Sequence, residues 1–468
     1  MKMKMTFLGA ARNVTGSCHC LETDHTRLLI DCGFYQERDF KSRNWDPFAL
    51  TLSGIDAILL THAHLDHCGL LPKLVKAGFK GRIICTPATG DIAEIVLLDS
   101  AHIQEEDAAY KKRRHKKAGR KSKYPDIPLY TNEDAQAAIE LFETVPYNTP
   151  VTVGEDVEAV FSDAGHILGS SMIKLTVKDG EETRTLLFSG DVGRWEAPII
   201  QDPTLFSEAD YVFVESTYGD RVHKGEDTVT ASLEEVINKA NEDGGKILIP
   251  SFAIERAQEL LYRLNELLAE NRIRHMPVYL DSPMAVKVTE VFMRHPELFD
   301  EEAVALMKKG QHPCDFKELH LSRTTAQSKA LNRLKGAAIY IAGSGMCTGG
   351  RIKHHLKNFI DKKDTTVIFI GYQANGTLGR IILEGAEEIR IHGQQCPVNA
   401  HITKINGFSA HADRNELMRW LDGLQKAPRK VFVIHGEEEA AESFGEHIRK
   451  TKGWEVSVPD YQDIVELD

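Results

Sequence analysis

No stretch of the chain is apolar for long enough to cross a bilayer as a helix. Met1 to Leu8 is too short for a secretory signal and carries two lysines, so a cytoplasmic location is expected. Cysteine is sparse: Cys18, Cys20, Cys32, Cys68, Cys85, Cys314, Cys347 and Cys396 are scattered, with no C-x-x-C pair and no zinc-ribbon spacing. A disulfide framework and a cysteine-ligated metal are therefore not expected, and these residues read as buried, reduced thiols. Positive charge is also in deficit, with 57 Lys and Arg against 69 Asp and Glu and a net charge of −12. Indiscriminate binding to nucleic acid is thereby disfavoured, and any such contact must be local. Tandem repeats and low-complexity tracts are absent. What remains is the profile of a globular protein, 42% hydrophobic and 27% charged, whose 468 residues suffice for two to three domain-sized cores.

The most informative segment is Thr61 to Gly69, T-H-A-H-L-D-H-C-G, directly behind the apolar run Ile55 to Leu60. The run reads as a buried strand. His62 and His64 leave it in extended chain, where a spacing of two turns both imidazoles to one side. Asp66 and His67 come where the chain turns into a helix, Cys68 to Ala77, so their side chains can diverge toward a second ion. Nitrogen-rich ligands supplemented by a carboxylate suit zinc.

H-x-H-x-D-H resembles the signature of the metallo-β-lactamase superfamily, and matches to that family's other positions follow in order. Asp163-Ala-Gly-His166-Ile-Leu-Gly-Ser170 supplies a lone downstream histidine, His166. Thr185-Leu-Leu-Phe-Ser-Gly-Asp191-Val-Gly193 supplies Asp191 at a glycine-flanked strand end, and Leu28-Leu-Ile-Asp31-Cys-Gly33 supplies Asp31. Further on, Tyr211-Val-Phe-Val-Glu215, Gly407-Phe-Ser-Ala-His411-Ala-Asp413 and Val431-Phe-Val-Ile-His435-Gly-Glu437 resemble motifs A, B and C of the β-CASP nucleases. That group includes the endonuclease of the cleavage and polyadenylation specificity factor, RNase J and the DNA-processing Artemis enzymes. RNA-processing members resemble one another in carrying histidine at the position of His435, where DNA-processing members carry valine. Only 33 residues follow His435, so the chain is expected to lack the long extension of RNase J and the leader of archaeal homologues, and it resembles the short bacterial type.

The resemblance implies an αββα metallo-β-lactamase sandwich with an inserted parallel α/β β-CASP cap: residues 1–219 and 406–468 for the first, 220–405 for the second. It assigns His62, His64 and His166 to one Zn²⁺, Asp66, His67 and His435 to another, and Asp191 to both, with manganese as the alternative metal. Asp31 would orient a ligand histidine. A hydroxide between the ions would be the nucleophile, His411 the general acid oriented by Glu215, and Asp66 part of the catalytic set. The implied activity is hydrolysis of single-stranded RNA, endonucleolytic in RNA processing or degradation. A 5′-3′ exonuclease, a single-strand DNA nuclease and a non-catalytic RNA-binding subunit are the alternatives, and self-association as a homodimer is left open.

Two glycine-rich turns, Ala342 to Gly350 and Gly371 to Arg380, follow strands, the first ahead of a helix beginning near Arg351 and the second ahead of another strand, and resemble the family's phosphate-contacting loops. Ser344, Thr377 and Arg380, together with Ser409, are the expected RNA contacts. Ser251 to Arg256 resembles a strand-to-helix turn with a positioning role. The basic segment Lys111 to Lys123 reads as a helix end running into a loop, either a solvated arm or a contact for RNA or a partner. Strands are predicted at Met5 to Gly9, Cys18 to Glu22, Arg27 to Asp31, Ala57 to Thr61 and Arg82 to Cys85, and helices at Leu70 to Ala77, Gly90 to Tyr110 and Asn132 to Phe142. In the insertion, helices Thr228 to Asn241 and Arg256 to Glu270 alternate with strands Lys246 to Pro250, Val278 to Asp281, Ala337 to Ala342 and Thr366 to Gly371, which argues for a parallel sheet.

Overall fold

The computed structural model describes residues 2–118, 126–223, 229–242 and 244–468. The chain divides into two compact units, one of Met1–Trp195, Asp202–Val222 and His411–Asp468, the other of Glu196–Gln201 and His223–Ala410.

The first unit holds two seven-stranded sheets. One runs in the order Ile464–Leu467, Met3–Gly9, Cys18–Glu22, Arg27–Ile30, Ala57–Leu59, Arg82–Cys85, Phe142–Thr144. The other runs Val456–Ser457, Lys430–Ile434, Tyr211–Glu215, Glu182–Phe188, Ser171–Asp179, Val157–Asp163, Val151–Thr152. Side-chain alternation decides how they pack. On Tyr211–Glu215 every residue is buried; Tyr211 and Phe213 join a core fed by both sheets, whereas Val212 and Val214 meet Leu417, Trp420, Phe444 and Ile448 from the helices Arg414–Asp422 and Glu438–Lys452. A strand covered on both faces loses the polar alternation of a half-exposed one, hence the unbroken Y-V-F-V. The αββα sandwich expected from the family resemblance is thus present.

Three phenylalanines in one register hold the middle of this core. Phe213 pairs with Phe188 on one neighbouring parallel strand and Phe432 on the other, and its ring stacks on theirs at 4.2 and 4.9 Å. The ring is fully buried, so Phe213→Ala is expected to destabilise the fold by about 3–5 kcal/mol, read as a lowered denaturant midpoint at unchanged slope.

The second unit is built on a six-stranded sheet, parallel throughout: Leu319–Leu321, Val278–Leu280, Ala338–Ala342, Lys246–Pro250, Thr366–Phe369, His401–Lys404. The parallel α/β cap is therefore also as expected. Its central strand Lys246–Pro250 is buried along its whole length, and the glycine-rich turns leave the carboxyl ends of the strands on either side of it.

Several boundaries differ from the sequence expectation. Asp66 and His67 do not precede a helix but sit inside a one-turn helix, Leu65–Cys68, followed by a separate helix Leu71–Lys76. Phe142 does not end a helix: the helix stops at Ile139, and Phe142–Thr144 pairs with Arg82–Cys85 as an edge strand. The turn Gly371 to Arg380 leads into a helix, Leu378–Leu383, rather than a strand, because the Thr377 hydroxyl accepts the Arg380 amide hydrogen and caps it. The long helix runs Pro87–Ala118 and takes up Lys111 to Ala118; residues 119–123 of the basic segment lie outside the described residues, as does Thr228. Helices Pro283–Arg294, Glu301–Lys308 and Thr325–Leu331 are additional, each opened by a capping side chain, from Ser282, Asp300 and Thr324. All eight cysteines are free and all but Cys18 are buried. Among the described residues, no helix is long and apolar enough to cross a membrane.

Candidate metal centre

The strand Ala57–Leu59 delivers the chain to Thr61, and the next six residues supply two groups of ligand atoms. His62 Nε2 lies 3.0 Å from His64 Nδ1, and His166 Nε2 lies 3.2 Å from the same nitrogen. His62 and His166 also approach Asp191 Oδ2, at 3.4 and 3.5 Å. On the other side His67 Nε2 lies 3.0 Å from His435 Nε2, and these approach Asp191 Oδ1 at 3.3 and 3.5 Å. Asp66 Oδ2 is 3.7 Å from His435 Nε2. His62, His64, His166 and Asp191 converge as one set, Asp66, His67 and His435 as another, the ligand atoms of each within 4.8 Å of one another. Asp191 faces the two sets with different oxygens.

Both sets fit a cation on physical grounds. The ring nitrogens of each set lie close enough to one another to share one ion. Asp191 Oδ1 is buried and accepts no well-aligned hydrogen bond, a desolvated charge in need of a partner. Burial lowers the pKa of His62 well below its usual value and that of His64 to about 4, so both present neutral, ligating nitrogens. Burial works the same way on His67, but Asp191 and Asp31 outweigh it and raise its pKa well above normal. Burial likewise opposes charge on Asp191, yet His435, His67 and His62 hold its pKa well below the ordinary carboxylate range. The centre thus favours positive charge beside Asp191, whether carried by a proton or by a metal ion.

Fixed hydrogen bonds set the histidine orientations. Asp31 accepts from His67 Nδ1 at 2.7 Å, from the Thr61 amide at 2.8 Å and from Ser17 Oγ at 3.1 Å. This proton on Nδ1 leaves Nε2 of His67 free to ligate. Thr61 Oγ1 stands 3.1 Å from His62 Nδ1 and Thr217 Oγ1 3.2 Å from His435 Nδ1. Ser17, Thr61 and Thr217 escape a reading of the sequence because a hydroxyl beside a motif carries no spacing signal. The loops bearing His166 and Asp191 touch at Gly193, where a Cβ would fall 1.6 Å from the Gly165 carbonyl oxygen. Asp31→Ala is expected to weaken metal affinity by roughly 10–100-fold, measured by competition with a chromogenic chelator.

Beside this centre, His411 Nδ1 is 3.3 Å from Glu215 Oε1 and 3.8 Å from Asp191 Oδ2. Glu215 is fully buried; Oε1 accepts the Val192 amide at 2.7 Å and Oε2 the Thr217 amide at 3.2 Å. Burial opposes charge on His411, but Glu215 and Asp191 outweigh it and raise its pKa to about 9. His411 is thus built to be protonated at neutral pH, and its side chain keeps 21% of its exposure, open to a substrate.

The expected RNA contacts have local partners. Ser344 Oγ accepts the Gly349 amide at 3.1 Å, and Thr377 donates to Ala374 O at 2.7 Å. Arg380 pairs with Glu384 at 2.7 Å. The two glycine-rich turns do meet, through Gly379 N to Met346 O at 3.1 Å. Ser344, Thr377, Arg380 and Ser409 all belong to the second unit.

Three family models match the chain: the metallo-beta-lactamase superfamily over residues 12–202, the Beta-Casp domain over 257–382, and the Zn-dependent metallo-hydrolase RNA specificity domain over 395–459. Ribonuclease TTHA0252 of Thermus thermophilus is 39% identical over 97% of this chain and 98% of its own length. An RNase J-like protein of Methanocaldococcus jannaschii is 32% identical over 96% of both chains. Transcription termination factor FttA of the same organism is 30% identical over 99% of this chain and 72% of its own length. Among solved structures, a protein of unknown function from Enterococcus faecalis V583 shares the fold at a TM-score of 0.57 and 12% identity, with both chains covered completely. These matches, spread over the whole chain, mean that it belongs to the β-CASP ribonuclease family of the metallo-β-lactamase superfamily.

Proposed function

We propose that the protein is a Zn²⁺-dependent endoribonuclease acting on single-stranded RNA in the cytoplasm, with the hydrolase domain in residues 1–219 and 406–468 and the cap in 220–405. The observation that carries this reading is Asp191, whose two oxygens face two separate histidine-rich sets beside a Glu215–His411 pair. His62, His64 and His166 would hold one ion and Asp66, His67 and His435 the second, with Asp191 shared. Ions so held supply an activated water and offset charge on the phosphoryl oxygens. Imidazole-rich ligation favours zinc over manganese.

The remaining roles belong to the chain's own groups. Two backbone amides fix the Glu215 carboxylate, and that carboxylate holds the proton of His411 on Nδ1. His411 then donates a proton to the departing 3′-oxygen as the phosphorus–oxygen bond breaks, so the leaving group departs as an alcohol. Asp31 keeps His67 in its ligating tautomer. Nothing in this chemistry uses the 2′-hydroxyl, so preference for RNA must come from contacts along the strand.

The test incubates zinc-loaded protein with single-stranded RNA and DNA of one sequence, labelled at the 5′ end. Internal RNA fragments with DNA left intact are expected. Release of labelled mononucleotide would replace the endonuclease reading by a 5′ exonuclease, and equal cutting of DNA would sink the RNA assignment.

A further inference from the structure

We propose that Phe252, with Tyr372 beside the same turn, is a stacking platform for a nucleobase of single-stranded RNA; this deepens the ribonuclease reading and rests on it. The topology points there first. Lys246–Pro250 is flanked in the sheet by Ala338–Ala342 and Thr366–Phe369, all parallel. Their carboxyl ends therefore emerge side by side, the edge at which open α/β sheets take their ligands. The central strand continues into Ser251 and Phe252, one neighbour into the turn Gly343 to Gly350, and the other into Gly371 and Tyr372.

The ring of Phe252 lies across the glycines of both turns. A Cβ on Gly345 would fall 2.7 Å from the ring, and one on Gly371 would fall 3.6 Å from it. A side chain at Gly345 would have displaced the ring, and Gly371 completes the floor at van der Waals distance. Gln373 ties the floor together: its buried amide donates to Gly345 O at 2.9 Å and to Gly371 O at 3.3 Å. The Cδ2–Cε2 side of the ring thus lies against backbone while Phe252 as a whole stays 40% exposed, and Tyr372 is 53% exposed. A large aromatic held rigidly at a sheet's ligand edge, with area left open, is what a base needs for stacking, which tolerates any sequence. Charge at the site suits the strand's phosphates. Arg256 Nη1 donates to Ile370 O at 3.4 Å, which brings a guanidinium to the turn that the ring covers.

The experiment scans a single abasic residue along a cleavable RNA and compares KM for wild type, Phe252→Ala, Phe252→Leu and Phe252→Trp. Wild type should show one position at which loss of the base raises KM by roughly tenfold. That peak should vanish in Phe252→Ala and Phe252→Leu and persist in Phe252→Trp. Leucine keeps the apolar contact with the glycine floor, so loss of the peak there separates stacking from a packing defect. A 2-aminopurine at the same position should be quenched on binding to a His411→Ala protein and lose that quenching when Phe252→Leu is added. An abasic profile unchanged by Phe252→Ala, or a peak retained with leucine, overturns the platform. A wild type that binds the probe with quenching but cuts no RNA would overturn the ribonuclease reading and leave the platform standing.

Discussion

Asp191→Asn should empty the shared position of the metal centre and reduce RNA hydrolysis to background, a loss beyond the roughly 10²–10⁴-fold that a general acid contributes. The side chain is 2% exposed, and each oxygen faces a different histidine set, Oδ2 toward His62 and His166, Oδ1 toward His67 and His435. Asparagine keeps the shape but turns one of those oxygens into an N–H donor with no negative charge. One set would then face a group that cannot ligate, and the other would lose the negative charge of the carboxylate. Zinc content by plasma emission spectroscopy should fall from two per chain to at most one, with circular dichroism unchanged. A variant that retains both ions and an activity within tenfold of wild type would remove Asp191 from its bridging role.

His411→Ala should lower kcat by about 10²–10⁴-fold while zinc content stays at the wild-type level, because His411 is outside both converging ligand sets. The pH dependence separates this role from a merely structural one. With its pKa raised to about 9 by Glu215 and Asp191 against the effect of burial, His411 carries its proton throughout the neutral range. That value belongs to the metal-free protein, and cations bound at Asp191 lower it; because the protonated form is the active one, activity assisted by His411 is lost as pH rises through its pKa in the loaded enzyme. Glu215→Gln removes the first of the raising charges and leaves the burial that opposes it. The alkaline limb should therefore move to lower pH in Glu215→Gln and disappear in His411→Ala. In the metal-free protein, NMR should find the His411 imidazole titrating near 9. A limb that stays in place in Glu215→Gln would show that another group titrates.

Most of the metal ligands are legible in the sequence because they follow closely on the end of a strand, whereas Asp66 and His67 lie in a one-turn helix just beyond it. Such a position is marked by an apolar run that stops and a polar residue that follows, as at Leu60, Phe188 and Ile434. Spacing alone brings His62 and His64 to one side, and the structure joins them through His64 Nδ1. What spacing does not carry is the support around the ligands. Ser17, Thr61 and Thr217 act through hydroxyls brought close by tertiary packing. The same holds for element ends: Ile381-Ile382-Leu383 has the apolar content of a strand, but a cap at Thr377 and cover from the glycine turn at Met346 make it a helix. Phe142 shows the converse, a residue at the end of a helical pattern that pairs instead with the edge of a sheet. Phe252 was legible only as part of a strand-to-helix turn, because the glycines beneath its ring are about ninety and about one hundred and twenty residues further along the chain.

The central claim is a two-ion centre organised about one carboxylate, and anomalous diffraction from zinc-loaded crystals at the zinc edge tests it most directly. Two peaks are predicted, one among His62 Nε2, His64 Nδ1 and His166 Nε2, the other among Asp66, His67 Nε2 and His435 Nε2, each in contact with a different oxygen of Asp191. A single peak, or two peaks of which one does not touch Asp191, would contradict the account.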